Sequence, residues 1–300
     1  MLVFATSDKG GTGRSVTTSN VAYQSALAGY DVCYLDFDFG SPTAGSVFDI
    51  DAGRLGVLHG GLHSYLLGEV TEPHRIDVFA ETERESVKVR DRHAGKLFLL
   101  PGDLGIGEFP SSDGVVSRCT EILELLVSQF HMCFVDLSAG RSYALQMALE
   151  AARRLPDVRT RWLVYHRWTK QHVIAAASLV HGRHGILEAG EDLGYNRDEL
   201  LASLRFVRTA LVDPARPGLT SQQSVWIAEW DSRLQAIAES ANAGPPWMLH
   251  TVPLDPVLQW REQLITAHDV TTIGIANERT AEAFQQLARL LHNDKAWEVR

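Results

Sequence analysis

Seven residues near the start of the chain, Lys9-Gly10-Gly11-Thr12-Gly13-Arg14-Ser15, have the make-up of a loop that holds an anion. Three glycines let a backbone curl tightly and come close to a ligand. A curled loop that runs straight into a helix aims several N–H groups at one point, and that is an anion site. Gly10, Gly11, Thr12, Gly13, Arg14, Ser15 and Val16 are the candidate phosphate-binding residues. Ser15, at the head of the helix, is placed to ligate Mg²⁺ as the Ser/Thr of a phosphate-binding loop does.

Three carboxylates belong to the same chemistry. Asp36 and Asp38 close the apolar run of residues 31–38. Asp136 closes the run Met132-Cys133-Phe134-Val135. Four apolar residues and then Asp is the form that brings a carboxylate to the hydration shell of a bound metal. In open parallel sheets ligands sit beyond the carboxyl ends of the strands. Asp36, Asp38 and Asp136 are therefore expected beside the first loop.

The elements that must position these groups follow from periodicity. Apolar runs at residues 2–5, 31–38, 97–102, 132–136, 161–165, 204–212 and 247–253 read as strands. Helical spacing appears at 16–27, 115–130, 141–154, 171–184, 225–239 and 279–291. Gly29 stops the first helix. Strands alternating with amphipathic helices predict an α/β fold, with a mainly parallel, twisted sheet flanked by helices on both faces. One domain is expected over residues 1–300, with an irregular elaboration at 41–96 between the second and third strands.

The loop departs from the usual G-x-x-x-x-G-K-[ST] pattern in two ways. Asp8 stands where the first glycine belongs, with Lys9 directly before Gly10-Gly11, and Arg14 stands at the lysine position. K-G-G-x-G-[KR]-S resembles the deviant Walker A loop of the ParA/MinD group of ATPases, whose signature is that early lysine. Asp36-Phe37-Asp38-Phe39-Gly40 is similar to that group's Asp-x-Asp-x-Gly run. Asp136-Leu137-Ser138-Ala139-Gly140 is similar to its Asp-x-Pro-Ala-Gly run, with Ser138 in place of Pro. The Asp-x-Asp-x-Gly run and the acidic balance make the chain resemble the MinD type more than a DNA-partition ParA.

The resemblance implies a three-layer P-loop NTPase fold, ATP or ADP as ligand and Mg²⁺ as cofactor. It implies metal ligation by Ser15, Asp36 (through water) and Asp136. Asp38 would orient the attacking water, and Arg14 would neutralise charge in the transition state. Lys9 would reach across a two-fold dimer to the partner's phosphates. Pro253-Leu254-Asp255 resembles the loop that flanks the adenine, which makes Pro253 and Asp255 nucleotide-binding candidates. The function so implied is a slow Mg-dependent ATPase whose nucleotide-dependent homodimer positions or regulates a protein partner. Arginine keeps the charge of lysine but is planar and bulkier, so a nucleotide-binding scaffold with little or no turnover is the alternative. A reductase like the nitrogenase iron protein needs cluster cysteines that Cys119 and Cys133 do not match, and a ligase needs a substrate pocket that the sequence does not display.

Composition bounds the partners. The chain has 300 residues, 45% of them hydrophobic, and a net charge of −9, which opposes strong non-specific DNA binding. Cys33, Cys119 and Cys133 lack metal-like spacing and read as core thiols. Nothing resembles a signal peptide or a membrane span, so a cytoplasmic, reduced setting is expected. The basic residues between Arg153 and Lys170 read as charge flanking one buried strand. His166, His172, His181 and His184 read as exposed or helix-capping rather than zinc ligands, and Trp226 and Trp230, at i and i+4, as core packing. Residues 292–300 build no continuous apolar stripe, so no membrane-targeting helix is expected.

Overall fold

Within β1 (Leu2–Thr6), Leu2 and Phe4 join one hydrophobic cluster while Val3 and Ala5 join another on the opposite face. Side chains alternate across a strand, so a strand apolar on both faces needs cover on both sides. The computed structural model describes residues 1–298. Its other strands are β2 (Val32–Phe37), β3 (Ile76–Asp77), β4 (Leu97–Leu100), β5 (Met132–Leu137), β6 (Thr160–Arg167), β7 (Leu204–Leu211) and β8 (Met248–Pro253). They form an eight-stranded sheet in the order β3-β4-β2-β5-β1-β6-β7-β8. All neighbours are parallel except β3 with β4.

The longer helices are α1 (Arg14–Leu27), α2 (Asp113–Gln129), α3 (Tyr143–Arg153), α4 (Lys170–His181), α5 (Ser221–Ser240) and α6 (Glu278–His292). Apolar residues of α2, α3 and α4 pack with Leu2 and Phe4. Those of α1 and α6 pack with Val3 and Ala5. This is the three-layer α/β architecture of a P-loop NTPase. Side-chain hydroxyls of Ser112, Ser142, Thr169 and Thr220 cap α2, α3, α4 and α5. The N-terminus of α1 has no such cap, and its N-cap, Gly13, is left-handed with φ +74°.

The edge strand β3 lies inside the irregular stretch at 41–96 and was not expected. Two residues are too few to show alternation. The same stretch braces the loop after β2. His63, fully buried, donates from Nε2 to the Phe39 carbonyl (3.2 Å), while its Nδ1 accepts from the Asp103 N–H (2.9 Å).

Cys33, Cys119 and Cys133 are buried core thiols, and Cys33 is the register partner of Cys133 across β2 and β5. Trp162 of β6 is buried and stacks on Phe4 with centroids 4.3 Å apart, so the basic residues around it do flank a buried strand. Two expectations are corrected. His166 is not exposed; it is buried in β6 beside Phe206. The Trp226–Trp230 pair is not core. The rings stack on each other, and Trp226 is 61% exposed on a helix that buries only Leu234 and Ala238. Spacing i,i+4 makes two residues neighbours on a helix whichever way that face points.

No helix among the described residues is long and apolar enough to cross a membrane. In the C-terminal tail Trp297 is buried, with the Arg161 guanidinium 4.2 Å above its ring. Arg300, the last residue of the tail, lies outside the described residues.

Candidate functional site

The loop that leaves β1 turns through left-handed backbone at Gly11 (φ +70°) and Gly13 (φ +74°), conformations that side chains rarely adopt. No described residue accepts a hydrogen bond from the N–H groups of Gly10, Gly11, Gly13, Arg14 or Ser15. A Cβ added at Gly10 or Gly11 would meet nothing within 4 Å, so the concave side of the loop is open. The loop is held from both flanks. The Gly140 N–H donates to the Ser7 carbonyl (2.7 Å), and Thr209 Oγ1 of β7 donates to the Thr12 carbonyl (2.5 Å).

A cleft of about 170 Å³ lies over the loop, lined by residues 10–16 with Asp38, Thr43 and Glu262. A second of about 210 Å³ shares Gly11, Thr12, Gly13 and Val16 and runs on to Thr209, Pro253 and Asp255. The two stretches share the glycine loop and run from it in different directions, one toward Asp38 and Thr43 and the other toward the ends of β7 and β8.

Register brings the carboxylates together. Asp36 of β2 is the direct partner of Asp136 of β5, and Asp38 follows two residues after Asp36. Arg14 reaches into this cluster. Its Nε donates to Asp136 Oδ1 (2.5 Å) and its Nη2 to Asp38 Oδ2 (2.7 Å). Nη2 also lies 3.3 Å from Ser15 Oγ, and Nη1 lies 3.5 Å from Ser7 Oγ. The Tyr34 hydroxyl donates to Asp136 Oδ2 (2.8 Å). Asp36 accepts from the Ala44 N–H (2.9 Å) and the Asp38 N–H (3.3 Å).

The electrostatics follow from this packing. Burial pushes the Asp36 carboxyl well above its usual range, and the neighbouring Asp136 adds to the rise. Burial also raises Asp38, against the pull of Arg14. Burial opposes the Arg14 charge, but Asp136 and Asp38 more than offset it, so the guanidinium holds its proton more firmly than usual.

These residues do not fit a magnesium ion as arranged. Both oxygens of Asp36 and both of Asp136 already accept hydrogen bonds, and Ser15 Oγ faces the guanidinium. Among the described residues no group of three His, Cys, Asp or Glu side chains is gathered to hold a metal.

The structure thus brings together residues 10–16, Asp36, Asp38, Asp136, Pro253 and Asp255. The Asp255 carboxylate is engaged by the N–H groups of Val257 (3.2 Å) and Asn277 (2.8 Å), so it shapes the far wall. Lys9 stands apart: it is exposed, lines neither stretch of the cleft, and has no side-chain hydrogen bond or ion pair among the described residues. Two participants escaped the sequence reading. Tyr34 shares a strand face with Asp36 by i,i+2 spacing, a signal that was there to use. Glu262 sits in an irregular segment with no periodicity. Asn20 of α1 fixes that segment: its Nδ2 donates to the Gln263 carbonyl (3.0 Å) and its Oδ1 accepts from the Ile265 N–H (2.7 Å).

Solved structures match this architecture along its whole length. MinD from Pyrococcus horikoshii, complexed with Mg-ADP, aligns over 98% of this chain and 96% of its own, at 17% identity and a TM-score of 0.56. The chain has the fold of the ParA/MinD ATPases. The MinC:MinD cell division complex of Aquifex aeolicus contains a match over 97% of this chain and 95% of that one, at 17% identity and a TM-score of 0.59. The pNOB8 ParA bound to nonspecific DNA matches over 98% and 99%, at 15% identity and a TM-score of 0.58. At such identities the ParA/MinD likeness is one of fold. No protein-family model and no curated protein sequence matches the chain.

Proposed function

We propose that the chain is a P-loop protein of the ParA/MinD type. It binds ATP or ADP over residues 10–16, and nucleotide occupancy governs pairing with a second copy and engagement of a protein partner. One observation carries the binding half: α1, which like α6 lacks a side-chain cap, is entered by a left-handed glycine loop whose N–H groups have no acceptor among the described residues. Backbone donors left open at a helix start attract phosphate. The extension toward Val252, Pro253 and Leu258, of mixed polar and apolar lining, gives the base a place. The MinD structure with Mg-ADP and the MinC:MinD complex support the choice of ligand and the expectation of a protein partner.

Slow hydrolysis with Mg²⁺ on Ser15, Asp36 and Asp136, and with water oriented by Asp38, is the arrangement that the resemblance implies. Arg14 occupies Asp136, Asp38 and Ser15 instead. The geometry therefore favours the second reading, a nucleotide-binding scaffold with little or no turnover. Lys9, exposed directly before the glycine loop, is the residue proposed to reach a partner's phosphates. Strong non-specific DNA binding is not part of the proposal, because a net charge of −9 opposes phosphate-dominated contact. A gel shift at micromolar affinity or tighter in physiological salt would overturn that.

The decisive test is ligand-induced stabilisation. Anything that binds only the native state raises stability by about 2.7 kcal/mol at a hundred times its Kd. Millimolar ATP or ADP is expected to raise Tm, and mass spectrometry of the purified protein to find retained nucleotide. No shift and no retained nucleotide would remove the reading.

A further inference from the structure

We infer that Arg14 is the resident cation of the Asp36–Asp38–Asp136 cluster, standing where a divalent metal would sit, so that this site takes its phosphate-bearing ligand without metal. The ligand half of the inference rests on the nucleotide reading above; the metal half does not.

The first argument is occupancy. All three guanidinium nitrogens of Arg14 have partners inside the site: Asp136, Asp38, Ser15 and Ser7. The oxygens a hydrated metal would contact are taken by Arg14, by the Tyr34 hydroxyl, and by the N–H groups of Ala44 and Asp38. Each oxygen of Asp36 and Asp136 thus already accepts one hydrogen bond, and the positive charge a metal would bring beside them is supplied by Arg14.

The second argument is shape. A guanidinium is a planar fork whose several donors serve two carboxylates at once, whereas an ammonium is a point charge. Asp136 is the penultimate residue of β5 and Asp38 follows β2, and the fork spans them. A lysine at this position has one nitrogen to offer both.

The third argument is cost. Arg14 is 6% exposed and Asp136 is 1% exposed. A metal entering the cluster would displace a buried cation from its buried partners, and a buried charge stripped of its partner is strongly destabilising. With the guanidinium turned to the strand ends, the loop N–H groups of Gly10, Gly11 and Gly13 are left as the donors for an anion.

The test has a nucleotide-free arm and a ligand arm. In the first, melting curves of wild type, Arg14→Ala and Arg14→Lys are taken in EDTA and in millimolar MgCl₂ or MnCl₂. Wild-type Tm is expected to ignore metal. Arg14→Ala is expected to melt lower in EDTA and to regain several degrees with metal. If Arg14→Ala does not fold, Arg14→Lys carries the arm, with the same metal-dependent rise expected. A wild-type Tm that rises with metal as much as the variant's overturns the inference. So do variants as indifferent to metal as wild type.

In the second arm, calorimetry follows ADP binding to wild type in the same buffers. The affinities are expected to agree within about twofold. Tightening by magnesium of about tenfold or more, equivalent to roughly 1.4 kcal/mol, overturns the inference and leaves the nucleotide reading intact. No ADP binding in either buffer removes the nucleotide reading and the ligand half together, and the melting curves still decide the role of Arg14.

Discussion

Arg14 and Asp136, 122 positions apart in sequence, meet through a 2.5 Å hydrogen bond that joins the start of α1 to β5. The other oxygen of Asp136 accepts from Tyr34. Tyr34→Phe removes that donor and leaves a buried acceptor unmet, a loss of about 1–3 kcal/mol. The urea midpoint is expected to fall accordingly with an unchanged slope. A midpoint equal to wild type would show that the hydroxyl contributes nothing to Asp136.

Asp38 is the carboxylate proposed to orient water. Asp38→Ala is expected to keep ADP affinity within a few-fold and to lose whatever slow ATP hydrolysis wild type shows. Arg14→Lys is expected to preserve or raise that hydrolysis, because lysine frees Asp38 from the fork. Phosphate release assays decide the point, and an Asp38→Ala protein that hydrolyses like wild type refutes the assignment.

Lys9 is exposed directly before the glycine loop and has no side-chain partner among the described residues. In a two-fold dimer each copy would deliver one such cation to the other's ligand, because the interface is self-complementary. Light scattering is expected to show a dimer with ATP that is absent without nucleotide and absent in Lys9→Ala. A dimer indifferent to ATP and to Lys9, or a monomer throughout, would sink the idea.

Glu262 lines both stretches of the cleft, close to where phosphate charge would lie. A like charge there opposes an anion. Glu262→Gln is expected to tighten ADP binding a few-fold, with the gain shrinking as salt is added. An unchanged affinity at low salt would place the carboxylate too far away to matter.

His166 titrates in the acid range. Burial pushes its imidazole down from 6.5 to about 4, and Arg208 and His172 add like charge. Between those values the unfolded chain holds a proton that the native chain refuses. Its contribution is therefore fully present above pH 6.5 and lost as pH falls toward 4, by roughly 3 kcal/mol at about 1.4 kcal/mol per unit. His166→Phe, set against Phe206, is expected to flatten that acid-side loss. Equal urea midpoint losses in the two proteins between pH 7 and pH 4 would exclude His166 as the cause.

Buried parallel strands write themselves into a sequence as unbroken apolar runs, so residues 2–5 and 132–136 were legible as strands. The glycine loop was legible because few other functions use such a cluster between strand and helix. What Arg14 touches was not. A residue type declares a charge, but its side chain can point at a ligand or at carboxylates far away in sequence, and only the register of β2 with β5 decides. His166 was misplaced for a related reason: the apolar run before it ends at Tyr165, while the strand and its burial continue. The tryptophans of α5 show the converse, a periodic stripe that no other element covers. Ser138, which replaces the proline of the resembling motif, bonds through its N–H and Oγ to the Phe37 carbonyl (3.2 Å each), tying the ends of β5 and β2 together.

Asn20 joins α1 to the Gln263–Ile265 segment across 243 and 245 positions. A ribosome finishes the glycine loop first and delivers the opposite wall, with Glu262, only near the end of synthesis. Closing so long a span costs entropy before it returns any contact, and such distant pairings form late. A nascent chain therefore displays an open, one-sided loop for most of its growth. The cleft gains its second wall last, when the amide of Asn20 captures a strap that has only just been made.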